Sequence, residues 1–118
     1  MAKDNAQSSF QRGVMSLLIL SLLDQEDMYG YQMIEELSRR SERAFALKTG
    51  TLYPLLHSLE EKELIRSYEK DEGAARPRRY YHLERKGQHL LREKEVEWAT
   101  FTTAVDCVLK GGVCLGSA

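Results

Sequence analysis

The chain has 118 residues, 42% hydrophobic and 30% charged, with two prolines and 17 Lys plus Arg against 18 Asp plus Glu, a formal net charge of −1. That fits one domain, or one domain with an appendage, and excludes a disordered tail, a collagen-like repeat and a disulfide miniprotein. A near-neutral total leaves nucleic acid open as a partner, because the placement of charge matters more than its sum. Two cysteines, Cys107 and Cys114, are too few for a disulfide framework, and reduced thiols in a cytoplasm are the expectation.

The opening MAKDNAQSSFQ lacks the apolar core of a secretory signal. The longest apolar stretch, VMSLLILSLL from Val14 to Leu23, is half the ~20 residues that cross a bilayer. No membrane span is expected. Ser8 and Gln11 have capping-box spacing, which predicts a first helix from about Ser9 to Asp24. Apolar residues surround much of its circumference, so it should be covered on more than one side. Asp27 is then expected to cap a second helix from about Met28 to Arg40, with Met33, Ile34 and Leu37 turned inward.

Ala46 to Lys48 reads as a short strand, with Thr49 as the cap of a third helix reaching about Lys62. Leu52, Leu55, Leu56 and Leu59 stand one helical turn apart and define a buried stripe. Pro54 falls near the start, where a lost backbone donor costs least. Leu64 to Tyr68 and Arg78 to Leu83 are predicted strands joined by a turn over Asp71 to Pro77, a β-hairpin. From Glu84 to Lys110 the pattern is helical again, charged in its first half and apolar along Trp98, Phe101, Val105 and Val108 in its second. A helix that long extends roughly 40 Å, beyond a preceding core whose radius of gyration should be ~12 Å. Its distal half would project into solvent unless covered, and a second copy of the chain is the cheapest cover. Residues 111–118 are expected to form a frayed tail.

The order helix, helix, helix, hairpin is that of a winged helix-turn-helix: a mainly α fold with a small β-hairpin, here followed by a long C-terminal dimerisation helix. The organisation read from it is a DNA-binding domain over residues 1–84 and a dimerisation helix over 85–110. Charge placement supports nucleic-acid binding. Between Arg66 and Lys86 lie seven basic residues (Arg66, Lys70, Arg76, Arg78, Arg79, Arg85, Lys86) against four acidic ones. Arg76, Arg78 and Arg79 bracket Pro77 at the hairpin tip, where guanidinium groups can fork onto phosphates. Opposite the leucine stripe the third helix offers Gly50, Pro54, His57 and Glu61, flanked by Thr51, Tyr53 and Ser58. Small and hydroxyl side chains at a helix N-terminus suit close approach to phosphate, and Lys48 just ahead adds charge. Thr49 has capping as its main expected role and is counted with the DNA-facing residues as well. Tyr53 divides between DNA contact and packing under the wing.

Arg12-Gly13 running into VMSLLILSLL, then Tyr29-Gly30-Tyr31, LKTGTLYPLLHSLEEKELI and RRYYHLERKG together resemble the PadR family of transcriptional regulators, over about Arg12 to Asp106. The single long final helix is similar to the compact branch of that family, whose members are homodimers with last helices crossing onto the partner. The resemblance implies a DNA-binding regulator, usually a repressor, with Tyr31, Lys48, Thr51, Tyr53 and the wing arginines facing DNA. It further implies that Trp98 could stack flat aromatic drugs against its symmetry mate across the dimer axis, with Phe10 and Val14 completing the walls. Packing without a ligand is the alternative for Trp98, since Phe101 and Val105 share its stripe.

Other chemistry is thinly represented. His57, His82, His89 and Cys107 share no recognised metal-ligand spacing. Cys107 is read as a small core residue on the apolar stripe. No nucleophile–base pairing, phosphate loop or paired carboxylates stand out, so neither an enzyme nor a cofactor is expected. The leading reading is a cytoplasmic homodimeric repressor that binds a double-stranded DNA operator and is released by a small aromatic effector. Two alternatives stand beside it: a winged-helix module for protein–protein assembly, and a DNA-binding regulator without an effector.

Overall fold

The computed structural model describes residues 2–71, 73 and 76–112, with side chains from Arg12 onward. Its elements follow in the order α1 (Ala2–Gln25), β1 (Met28–Tyr29), α2 (Gly30–Arg40), α3 (Thr49–Glu61), β2 (Ile65–Lys70), β3 (Arg78–Leu83) and α4 (Arg85–Leu109). This is a mainly helical winged helix with a long C-terminal helix, as the order of patterns implied. The core gathers Ile19 and Leu20 of α1, Met33 of α2, Leu52 and Leu56 of α3, Ile65 of β2 and Leu91 of α4, all buried. The predicted leucine stripe is the inner face of α3, and α1 is covered on several sides, as its apolar circumference required.

The wing is a three-stranded antiparallel sheet in the order β1-β3-β2. Ile65 pairs with Leu83 and Lys70 with Arg78, while Met28 and Tyr29 pair with Tyr81 and Tyr80. β1 was not expected. Two residues carry no periodicity, and their partner strand lies some fifty residues away in sequence. Its presence delays α2 to Gly30 and places Tyr29 at the cap position, where the Tyr29 N–H donates to Gln32 Oε1 at 3.4 Å. Asp27 is therefore not the cap of α2.

Three other local expectations are corrected. The helical backbone of α1 runs straight through Ser8, so the capping-box spacing goes unused. Residues 45–48 form no strand. Thr49 is the first helical residue of α3, and extended Lys48 holds the cap position, its carbonyl accepting from Thr51 N–H at 3.0 Å and Leu52 N–H at 2.9 Å. Pro54 consequently sits in the second turn, and its missing donor leaves the Gly50 carbonyl, on an exposed residue, to water.

Helices α2, α3 and α4 end the same way, with the second amide past the cap reaching back five residues. Arg43 N–H donates to Ser38 O at 2.7 Å, Leu64 N–H to Leu59 O at 3.0 Å and Gly112 N–H to Cys107 O at 2.7 Å. The expected tail thus begins in a closed turn at Gly111 and Gly112; residues 113–118 lie outside the described residues. Cys107 is disulfide-bonded, not a reduced thiol. It also lies on the side of α4 opposite Trp98, because nine residues at 100° each is half a turn out of phase.

α4 starts hard against the wing. A Cβ at Gly87 would overlap the Leu64 carbonyl, and Glu84 N–H donates to that same carbonyl at 2.9 Å. Arg92 then bonds Asp24 at 3.1 Å, fixing α4 to the end of α1. Beyond Leu91 no residue of the helix is buried. The molecule measures 58 × 35 × 27 Å with a radius of gyration of 16.6 Å, against about 13 Å for a compact chain of this length. No helix among the described residues is long and apolar enough to cross a membrane.

Candidate nucleic-acid interface

The start of α3 has no side-chain cap. Its first amides point outward from a surface made by Lys48, Thr49, Gly50 and Thr51, all exposed. That end therefore carries unpaired donors, the positive pole of the helix and a lysine, and a phosphate would satisfy all three. Tyr31, 64% exposed, stands in the first turn of α2 beside it. Tyr53, 40% exposed, links the two helix starts. A Cβ on Gly30 would overlap the Tyr53 hydroxyl and ring edge, so only glycine lets α2 accept the ring of α3 at this distance. Part of the Tyr53 ring thus packs on α2, and part faces water.

The three wing arginines are exposed, but strand alternation separates them. Arg79 lies on the α3 side of the sheet, near the Tyr81 phenol. Burial pushes the Tyr81 phenol up; the Arg79 charge opposes this, while Tyr53 and Glu60 reinforce it. Those interactions put Arg79, Tyr53 and Glu60 around one phenol, joining the wing to α3. Arg78 lies on the other side, its guanidinium 4.4 Å from the centre of the Tyr29 ring. Arg76 is at the tip, beyond the paired strands.

Two carboxylates in roles not expected from the sequence hold the wing in place. Glu60 of α3 accepts from Ser67 N–H at 3.2 Å and Ser67 Oγ at 2.8 Å. Asp27 accepts the Tyr68 hydroxyl at 2.6 Å and meets His82 Nδ1 at 2.8 Å, so one carboxylate grips both hairpin strands. Burial alone would raise the Asp27 carboxyl. The hydrogen bonds from Tyr68 and His82, with the charges of His82 and Arg66, outweigh it and hold the group below the usual carboxylate range. The bond to Asp27, more than burial, pushes the Tyr68 phenol up to about 12. An acid before a predicted helix gave no signal for this role, because its partners lie 41 and 55 residues away.

Away from the wing, α1 and α4 enclose an open groove of about 480 Å³ lined by Gly13, Val14, Leu17, Trp98 and Phe101, with Lys94 and Glu97 at its edge. Trp98 and Phe101 sit 6.1 Å apart, ring centre to ring centre. The fold therefore unites Trp98 with Val14; the Phe10 side chain lies outside the described residues. A second, wider groove shares Val14, Leu17 and Trp98 and runs on to Phe45, Leu47 and Leu55 behind α3. No group of three or more His, Cys, Asp or Glu among the described residues could hold a metal ion.

Residues 19–93 match the transcriptional regulator PadR-like family. An uncharacterized protein of Lysinibacillus sphaericus is 34% identical over 105 residues, covering 89% of this chain and 96% of that one. Among solved structures, a PadR family transcriptional regulator from Eggerthella lenta is 34% identical over 94% of this chain and 98% of its own, with a TM-score of 0.75. A PadR-like transcriptional regulator from Bacillus cereus is 31% identical over 88% of this chain and 99% of its own, with a TM-score of 0.77.

Proposed function

The chain belongs to the PadR-like family of transcriptional regulators, DNA-binding proteins and not enzymes, and from that premise we propose a cytoplasmic homodimeric repressor released from its operator by a planar aromatic ligand. The observation that carries the finer reading is the uncovered stripe of α4. Trp98, Phe101 and Val108 are 41%, 52% and 77% exposed on one side of a single helix. A contiguous apolar face of that kind marks an interaction site, and a second copy closes the Trp98 groove from the far side. Residues 1–84 then form the DNA-binding domain and 85–110 the dimerisation helix.

In this reading Lys48, Thr49, Thr51, Tyr53 and Tyr31 approach the major groove and its edge, and Arg76, Arg78 and Arg79 hold the flanking phosphates. The groove volume falls within the range of small-molecule sites, and aromatic walls favour flat aromatic ligands. Because the Trp98 groove opens into the one behind α3, a ligand wedged there acts on the packing beneath the recognition helix. It lowers DNA affinity by favouring dimers whose two recognition helices misfit the operator spacing.

Trp98 is the only tryptophan, so its fluorescence reports the site directly. Planar aromatic compounds should quench it and release DNA. Trp98→Ala should abolish the release while leaving DNA affinity within about tenfold, roughly 1.4 kcal/mol, in a sample that sedimentation shows still to be dimeric. A Trp98→Ala dimer that still lets go of DNA on drug addition would place the effector site elsewhere.

A further inference from the structure

On the side of the wing turned away from α3, three tyrosines form a row across the sheet, one from each strand. Tyr29 meets Tyr80 edge-on at 5.4 Å, and Tyr80 stacks on Tyr68 at 5.9 Å. The Tyr68 hydroxyl is bonded to Asp27, which anchors the row to the end of α1. Each ring carries a cation: Arg66 over Tyr68 at 5.8 Å, Lys70 over Tyr80 at 5.2 Å and Arg78 over Tyr29 at 4.4 Å. The last two pairs are diagonal across the ladder, since Tyr29 and Tyr68 both pair with Tyr80 and Lys70 pairs with Arg78. Arg78 makes the shortest of the three contacts. Arg66 is additionally paired with Glu84 at 3.0 Å.

We infer that Tyr29 is a positioning residue for DNA binding: its ring holds the Arg78 guanidinium at a set place and angle on the wing before DNA arrives. The inference rests on the reading of Arg78 as a phosphate contact. A free arginine loses much rotamer freedom when it grips a phosphate. A guanidinium already held over a ring loses less, and a contact through its face consumes none of its N–H donors. The two wing arginines are then not equivalent: Arg79 lies on the α3 side of the sheet near the Tyr81 phenol, and Arg78 lies over an aromatic face on the other side. Tyr29 can exert this only because β1 exists, since pairing with β3 is what brings the residue before α2 alongside the wing.

The test uses the full chain and a fluorescently labelled mixed-sequence duplex, titrated over a range of salt. Tyr29→Phe keeps the face and should bind like wild type. Tyr29→Leu should bind about three- to fivefold more weakly, the size of one exposed cation–π contact, with an unchanged salt slope because the charge remains. Arg78→Lys, at an exposed position that does not threaten folding, should reproduce that loss with the slope intact, since a compact ammonium does not stack as a planar fork does. Arg78→Ala should flatten the slope by about 0.9 per subunit, and adding Tyr29→Leu to it should cost nothing more. Equal binding by Tyr29→Leu and wild type would overturn the inference, as would a loss of the same size in the Arg78→Ala background. An Arg78→Ala slope equal to wild type would instead remove the phosphate contact itself, and the inference with it.

Discussion

At the level of single residues, two positions convert geometry into measurable stability. The first is Gly30. Any side chain there displaces the Tyr53 ring, and forced displacement in a packed site typically costs ~1–3 kcal/mol. Gly30→Ala should therefore lower the urea midpoint and weaken DNA binding together. Tyr53→Ala in the same chain should restore much of the stability without restoring DNA binding. Full stability in Gly30→Ala would mean that the ring moves aside freely. The second is Glu63, which holds a left-handed backbone (φ 62°) at the end of α3. Glycine adopts that conformation without the Cβ clash, so Glu63→Gly should stabilise by about 0.5–1 kcal/mol, read from the same denaturation curves. A destabilised Glu63→Gly would show that the Glu63 side chain contributes more than its backbone costs.

The Asp27–Tyr68 bond gives a pH signature with a definite sign. A phenol raised to about 12 in the folded chain contributes stability that is full below its unfolded value of ~10 and lost as pH climbs past it. A depressed carboxylate contributes above the usual ~3.9 and fades as pH falls through its lower folded value. Tyr68→Phe should accordingly be less stable than wild type by about 1 kcal/mol across the neutral range. That gap should close at both ends, above pH ~10 and below pH ~4. A gap that stays constant to high pH would show that the lost stability is packing and not this hydrogen bond.

Among the elements, what sequence reasoning found and missed divides along the range of the interactions. The leucine stripe of α3, the strand pair around the Asp71–Pro77 turn and the length of α4 are local patterns, written in the spacing of apolar residues. They form where expected. β1, the Asp27 clamp and the Gly30–Tyr53 contact join residues far apart in sequence, and no local periodicity encodes them. Thr49 illustrates the middle case: threonine favours a cap, yet the chain enters α3 one residue earlier, with Lys48 extended, and propensity yields to the surrounding fold. The alternation of Arg78 and Arg79 was available from the strand period alone, and treating the two as one cluster overlooked it. In the proposed reading the elements also make separable contributions to binding. Arg79→Ala should weaken all duplexes alike and flatten the salt dependence by about 0.9 per subunit, whereas Thr51→Ala should change the preference among sequences with little change in slope. Salt titrations of both variants against several duplexes test this. Matching slopes and matching specificities would erase the distinction between wing and recognition helix.

For the whole molecule, the decisive property is assembly. The chain is longer and thinner than its length requires because α4 continues past its last buried residue, Leu91, for some eighteen residues. A helix with no buried residue over that distance gains little tertiary packing, and packing is what ordinarily stabilises helices in proteins. Burying Phe101, Val105 and Val108 against a second copy would contribute on the order of 1.5–3 kcal/mol for each large side chain, enough to hold a dimer at micromolar concentration. Phe101→Lys places an unpaired charge in that seam and should shift the sedimentation profile to monomer. Val96→Lys is the matched control. Val96 is as exposed as the stripe residues but lies about 160° from Trp98 around the helix, so its variant should stay dimeric. The monomer should also bind DNA far more weakly, by about a hundredfold or more, because a second half-site then adds nothing to the first. Wild-type protein sedimenting as a compact monomer, or equal behaviour of the two lysine variants, would remove the dimer and the ligand cleft built on it.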